Sequence, residues 1–171
     1  EALTEHIIQD VQRTVAAGTG YVRTHLSLDH VPETKLMEAT LAAKAALDDI
    51  ADVQLVPYVA SSLIEDDDAR ALLCESIELA QDRVGEGELL LGGIGTGATE
   101  GKDIDRTIDE WFALATEYGL DLDVHVQDHG SLGGYTLERL LQATMAGEFE
   151  GRVTASHCYT LADLPVAWRE K

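Results

Sequence analysis

Residues 122–157 read LDVHVQDHGSLGGYTLERLLQATMAGEFEGRVTASH and predict one strand–helix–strand unit. The unit begins and ends with a short apolar run, at 122–125 and 153–157, and each run ends in a histidine. Between the runs, Leu137, Leu140 and Leu141 recur at the spacing of an amphipathic helix. Two strands joined by a helix are typical of a parallel sheet with right-handed crossovers. This stretch therefore predicts an α/β protein.

The same unit recurs along the rest of the chain. Further strand-like runs begin at Tyr21, Val53 and Leu89, so the sequence predicts five strands that begin about 33 residues apart. Five such units fit a complete, open, doubly wound sheet. They also fit part of an eight-stranded barrel, which typically needs about 250 residues. Periodicity does not distinguish the two architectures, and we interpret residues 1–171 as a single domain.

The chain is strongly acidic. It has 32 Asp and Glu against 12 Lys and Arg, a formal net charge of -20. Because the acids are spread over every predicted helix, we interpret the chain as a protein of a salt-loving cell, where salt screens their repulsion. Nucleic acids and anionic membranes are poor partners for such a surface. Two cysteines give no disulfide framework and no apolar run is long enough to cross a bilayer, so we expect a soluble, cytoplasmic protein.

The two histidines that end the strands of the opening unit are the strongest functional signal. In α/β proteins, sites form at the C-terminal edge of the sheet, where both imidazoles are expected. Alternation puts His125 on the strand face of Asp123 and Gln127, and His157 on the face of Val153. Neutral imidazole is a good ligand for zinc and iron, which suggests a metal site. The alternative is two hydrogen-bonded strand-end histidines, because a catalytic zinc usually has three protein ligands.

Three further features could contribute to a site. Asp128 follows the strand of His125 and could act as a general acid or base beside a metal, or simply begin a turn. His25 also ends a strand and could line the same edge. From Gly92 to Gly97 the chain contains most of a G-x-G-x-x-A match, which in a dinucleotide-binding protein opens a helix directly. Here residues 99–102 separate the match from the next predicted helix, which favours a plain connecting loop. This match supports an alternative function, a non-catalytic doubly wound module that binds a phosphate or nucleotide there.

Three strand motifs together resemble one known family. Residues 22–29, VRTHLSLD, are similar to the V-R-T-H-V-D strand of the cytosine deaminase branch of the amidohydrolase superfamily. Residues 123–125, DVH, and 152–157, RVTASH, resemble two later strands of that family, and the three motifs come in the family's order. The resemblance spans nearly the whole chain. It implies an α/β fold that is a partial (β/α)8 TIM-type barrel, corresponding to strands two to six.

The resemblance implies a metal-dependent hydrolase that deaminates a cytosine-like or related nitrogen heterocycle, with one divalent ion, zinc or iron. It maps His125 and His157 onto metal ligands, and Asp128 onto a proton-shuttling glutamate that is one methylene longer. We assign substrate contacts to His25 and Gln127. The family's ligand motifs of the first and eighth strands do not occur in these 171 residues. We therefore expect a piece that is inactive alone and binds metal weakly. We expect it to form a homo-oligomer through its open sheet edges, with disorder at those edges as the alternative.

Overall fold

Helices and strands alternate along the chain, as the sequence predicts. The structure, a computed structural model, describes residues 1–28, 33–60, 63–94 and 104–169. The strands are β1 (Tyr21–Ser27), β2 (Asp52–Tyr58), β3 (Leu90–Ile94), β4 (Asp121–Val126) and β5 (Val153–His157). The helices are α1 (Ala2–Ala16), α2 (Lys35–Ala46), α3 (Asp67–Gln81), α4 (Ile104–Tyr118), α5 (Gly130–Ala146), α6 (Thr160–Asp163) and α7 (Val166–Arg169). None of these helices is long and apolar enough to cross a membrane.

The strands are parallel, and their spatial order follows the chain. β1 pairs with β2 along its whole length, and β4 lies between β3 and β5. A parallel bridge between Leu55 and Leu89 joins the two groups. Beside it, the backbone N–H of Leu55 donates to the carbonyl oxygen of Glu88 at 2.8 Å. The order among the described strands is therefore β1-β2-β3-β4-β5, without a reversal.

The sheet is curved, so that its first strand faces its fourth and fifth. Arg23 Nη1 in β1 lies 2.6 Å from Asp123 Oδ2 in β4 and 3.4 Å from Thr154 Oγ1 in β5. In a flat sheet, three strand spacings would put β1 roughly 14 Å from β4. The strands must therefore wrap around a common interior, which is the geometry of a partial (β/α)8 TIM-type barrel. The open doubly wound alternative, which requires the strand order to reverse, is wrong for the described strands.

The apolar core lies between the outer face of the sheet and the helices. In β4, Leu122, Val124 and Val126 are buried in this core, whereas Asp123 and His125 alternate with them and face the interior of the curve. Helix α4 buries the face that the periodicity predicts, which consists of Ile104, Ile108, Trp111, Phe112 and Ala115. The prediction is wrong for Leu141 of α5, which is 55% exposed, and α1 has no buried residue. Because the helices cover only the outer face, the inner face is left for polar side chains.

The first two residues of the glycine-rich stretch lie inside β3 and not in a loop. A Cβ atom on Gly92 would lie 2.9 Å from Tyr58 Cβ, and one on Gly93 would lie 2.5 Å from Trp111 Cε2. These glycines therefore allow close packing on both faces of the strand. The prediction of a loop from Gly92 to Gly97, either a plain connection or, as the alternative, a phosphate-binding one, is wrong at Gly92 and Gly93, and residues 95–97 lie outside the described residues.

The ion pair between Lys44 and Glu88 lies at the junction of β2 and β3. We expect its contribution to stability to depend on pH. Glu88 accepts a hydrogen bond from the backbone N–H of Gly85 at 2.7 Å and lies 2.9 Å from Lys44 Nζ. These two contacts, Gly85 first, lower the pKa of Glu88 below its ordinary 4.5. A carboxylate whose pKa is lower in the folded than in the unfolded state stabilises the folded protein. This stabilisation is complete at pH values above the unfolded-state pKa, and it is lost as the pH falls through the folded-state pKa. We expect Glu88→Gln to lower the free energy of unfolding by about 1 kcal/mol at neutral pH.

Urea unfolding of both proteins across the acidic range measures this effect. The difference between wild type and variant should shrink below pH 4.5, as Glu88 becomes protonated in the folded state. Glu86→Gln is the matched control, because Glu86 is exposed in the same turn. A difference that stays constant down to the acid transition would show that the charge of Glu88 does not stabilise the junction.

Candidate active site

Three histidines meet at the C-terminal edge of the sheet, and we call His25, His125 and His157 the histidine cluster. They belong to β1, β4 and β5. The ring centroids of His25 and His125 are 4.5 Å apart, and those of His125 and His157 are 5.1 Å apart. Tyr58 of β2 flanks the cluster, with its ring centroid 5.9 Å from that of His125. The structure thus brings together three of the five side chains that the sequence predicts for the site.

The backbone at the end of β5 directs the His157 side chain toward His125. Ser156 faces the interior, where its Oγ lies 3.2 Å from Asp123 Oδ1, and regular alternation would put His157 on the opposite face. Instead, His157 and Cys158 have left-handed φ values of 70° and 48°, which are uncommon for residues with a side chain. The prediction that His157 follows the strand alternation is therefore wrong, and its ring nevertheless contacts the ring of His125.

Asp123 is a buried acid beside the histidine cluster. Its side chain is 2% exposed and accepts a hydrogen bond from Arg23 Nη1 at 2.6 Å. His25 Nε2 lies 3.3 Å from the other carboxylate oxygen, which also accepts from Ser156 Oγ. Burial alone would raise the pKa of Asp123, but the hydrogen bonds to His25 and Arg23 outweigh it and hold the pKa below its ordinary value. The charged carboxylate therefore orients the His25 ring.

Sequence reasoning placed Asp123 on the strand face of His125 but gave it no role. One signal was present, because a charged residue between the apolar Leu122 and Val124 needs partners when it is buried. The partner could not be identified, since Arg23 is 100 residues away in the chain. Only the curvature of the sheet brings the two side chains together.

His125 has the properties of a neutral imidazole with one unused nitrogen. Burial is the largest cause that lowers its pKa, and the nearby His25 and His157 lower it further, while Asp123 acts in the opposite direction. His125 Nδ1 is buried and has no hydrogen-bond partner among the described residues. A neutral imidazole with an unsatisfied nitrogen is the form that binds a metal ion.

The donor set fits part of a metal site. His125 and His157 have adjacent rings, and His125 has an unsatisfied buried nitrogen. A catalytic zinc usually has three protein ligands. Within residues 1–28, 33–60, 63–94 and 104–169, no group of three His, Cys, Asp or Glu side chains is arranged to hold a metal ion. The two histidines therefore fit two positions of a coordination sphere, which the described residues do not complete.

The other two predicted site residues follow β4 directly. Gln127 is exposed, and Asp128 is half-buried two residues before the start of α5 at Gly130. The backbone carbonyl of Asp128 packs so closely on Gly133 that a Cβ atom at that position would overlap it. The first turn of α5 therefore fixes where Asp128 lies. The roles of Asp128 and Gln127 stay predictions.

Known proteins resemble this chain in sequence over most of its length. No protein-family model matches it. It is 36% identical to the N-isopropylammelide isopropyl amidohydrolase of Pseudomonas sp. (strain ADP) over 171 residues, and 30% identical to the pterin deaminase of Rhizobium rhizogenes over 148 residues. The alignments cover 100% and 86% of this chain, but 40% and 31% of those proteins.

Solved structures share its fold. An N-isopropylammelide isopropylaminohydrolase from Burkholderia multivorans superimposes with a TM-score of 0.80 at 32% identity, over 91% of this chain and 38% of that one. A 5-methylcytosine deaminase from Klebsiella pneumoniae, liganded with phosphonocytosine, gives a TM-score of 0.79 at 25% identity, over 98% of this chain and 40% of that one. The chain therefore spans about two fifths of the length of the first relatives it matches.

Proposed function

Because the chain belongs to the amidohydrolase superfamily, we propose that its protein is a metal-dependent hydrolase that removes an amino group from a nitrogen heterocycle. Residues 1–171 would form one part of a single barrel domain. Two relatives are deaminases, of pterin and of 5-methylcytosine, and a third acts on N-isopropylammelide. Their substrates are rings with a nitrogen substituent on a ring carbon, so the proposed substrate class is wider than cytosine alone.

The proposed reaction is hydrolytic cleavage of a carbon–nitrogen bond. Water adds to the ring carbon that carries the amino group, the C–N bond breaks, and the amine leaves with the proton that the water loses. Asp128 would accept that proton and pass it to the leaving nitrogen, because a carboxylate can serve as general base and then as general acid. His25 and Gln127 would contact the heterocycle at the edge of the sheet.

The metal part of the proposal depends on the histidine cluster. His125 and His157 would hold the ion, and either zinc or iron suits imidazole ligands. When bound, the ion would supply a water nucleophile with a lowered pKa. Asp123 would act as a positioning residue, since its buried carboxylate orients His25, whose ring lies against that of His125 with the two centroids 4.5 Å apart. The observation that carries the proposal is the meeting of three imidazoles beside a buried carboxylate at the C-terminal edge of parallel strands.

The test is expression of the complete reading frame that encodes these residues, with and without His125→Ala. We expect the variant to lose at least about a hundredfold in metal affinity, since even outer partners of metal ligands contribute 10–100-fold. Hydrolysis of cytosine, pterin and N-alkylated triazine substrates should fall with it. His6→Ala is the control, because His6 is exposed on α1. Full metal content and unchanged hydrolysis in His125→Ala would contradict the proposal.

A further inference from the structure

The segment that follows β5, residues 158–164, contacts the start of α5 through three polar interactions. Asp163 Oδ2 lies 2.7 Å from His129 Nδ1 and accepts a hydrogen bond from the backbone N–H of Gly130 at 3.3 Å. The buried Thr160 donates its hydroxyl to the carbonyl oxygen of Gly130 at 2.7 Å. These contacts hold the connection that carries Asp128 against the connection that follows His157.

Tyr159 lies between this contact and the histidine cluster. Its ring stacks on that of His129, with centroids 5.1 Å apart and planes 17° apart. Its Oη lies 3.2 Å from His157 Nδ1. The residue is 45% exposed, so it contributes little to the apolar core. The hydroxyl of Tyr159 instead contacts His157, a member of the histidine cluster.

We propose that Tyr159 is a positioning residue that fixes the tautomer and the orientation of the His157 imidazole through its hydroxyl group. The metal role of His157 rests on the proposed function, whereas the hydrogen bond does not. A neutral imidazole carries its proton on one nitrogen only. When Nδ1–H donates to Tyr159 Oη, the lone pair of Nε2 stays available as a ligand.

The backbone conformation at His157 explains why the ring needs the hydrogen bond to Tyr159. His157 and Cys158 both adopt left-handed φ values, and such residues persist only where their surroundings hold them. The backbone N–H of Cys158 donates to the carbonyl oxygen of Val126 at 2.9 Å, which fixes the main chain at this point. Among the residues that the structure describes, no backbone group forms a hydrogen bond with the His157 ring, and the ring's polar contact is with Tyr159 Oη. The hydroxyl of Tyr159, itself held by the stacked His129, supplies that constraint.

The first test measures the tautomer of His157 in the metal-free protein. Nitrogen-15 NMR at alkaline pH distinguishes a proton on Nδ1 of an imidazole from one on Nε2. We expect Nδ1–H in the wild type, and a shift toward Nε2–H in Tyr159→Phe, which keeps the ring on His129 and removes only the hydroxyl. Tyr135→Phe is the matched control, because Tyr135 is also 45% exposed and its hydroxyl donates to Asp105 of α4 and not to a histidine of the cluster.

The second test measures the zinc affinity of the protein expressed from the complete reading frame, by competition with a chelator. We expect Tyr159→Phe to weaken zinc binding about tenfold, and Tyr135→Phe to leave it unchanged. Nε2–H in the wild type, or the same tautomer and affinity in wild type and Tyr159→Phe, would overturn the proposal. A tautomer that shifts in a protein without zinc affinity would support the positioning role and refute the proposed function, so the two failures are distinguishable.

Discussion

Replacement of Asp123 by alanine is expected to lower the free energy of unfolding by about 3 kcal/mol. The carboxylate is 2% exposed and pairs with Arg23 at 2.6 Å, so its removal leaves a guanidinium without its partner inside the curved sheet. Loss of one member of a buried ion pair costs about 3–5 kcal/mol. The Arg23 side chain is 35% exposed, so water recovers part of its solvation, and the expected loss lies at the lower end of that range.

Urea unfolding of the wild type and variants measures this loss. Asp123→Asn keeps the shape and one acceptor oxygen, so it should be less destabilised than Asp123→Ala. Asp10→Ala is the control, because Asp10 also pairs with an arginine, at 2.9 Å, but its side chain is 58% exposed. Exposed pairs contribute about 0–1 kcal/mol. Equal losses in Asp123→Ala and Asp10→Ala would mean that the interior pair does not stabilise the curved sheet.

Gly133→Ala is expected to lower stability by about 2 kcal/mol and the proposed hydrolysis by about a hundredfold. The new Cβ would overlap the backbone carbonyl of Asp128 and lie 2.9 Å from Thr160 Cβ. A backbone carbonyl cannot rotate away as a side chain can, so the connection that carries Asp128 must move. A displacement of about 1 Å in a reacting group is enough for a rate loss of this size.

Gly134→Ala is the matched control, since Gly134 is the next residue of α5 and is also buried. Its Cβ would approach the end of the Leu164 side chain at 3.1 Å, which can adjust. We expect this variant to be neutral or slightly more stable, because alanine favours a helix by about 1 kcal/mol over glycine. Unfolding curves and steady-state rates of both variants, in the protein from the complete reading frame, measure the contrast. Equal behaviour of the two variants would show that the carbonyl of Asp128 does not restrict Gly133.

The strands and helices could be predicted because each carries its own periodicity. The burial of Ile108 and Trp111 in α4 and of Leu122 and Val124 in β4 follows from spacing within a few residues. The curvature of the sheet could not be predicted in this way. It is visible in contacts such as that of His25 with Asp123, which are 98 residues apart in the chain. Periodicity is consistent with both an open doubly wound sheet and part of a barrel, and only the family resemblance implies the barrel.

The sequence predicts the strand-end histidines of the candidate site. It does not predict the residues that position them. His125 and His157 could be found because each ends an apolar run. The left-handed backbone at His157 could not, since neither it nor Cys158 is a glycine that would signal such a φ. Tyr159 was missed because its hydrogen bond to His157 depends on that backbone geometry. Strand alternation is a poor guide at the last residue of a strand.

The pairing of Arg23 with Asp123 also bears on the order of folding. Each neighbouring strand pair closes a loop of about 30 residues, but this pair closes one of 100 residues. Loop-closure entropy grows with length, and non-local contacts form only after that entropic cost has been met. We therefore expect the histidine cluster to assemble late, after the local helix–strand units have collapsed. Conditions that loosen the molecule partially should dissolve the cluster while the helical signal persists.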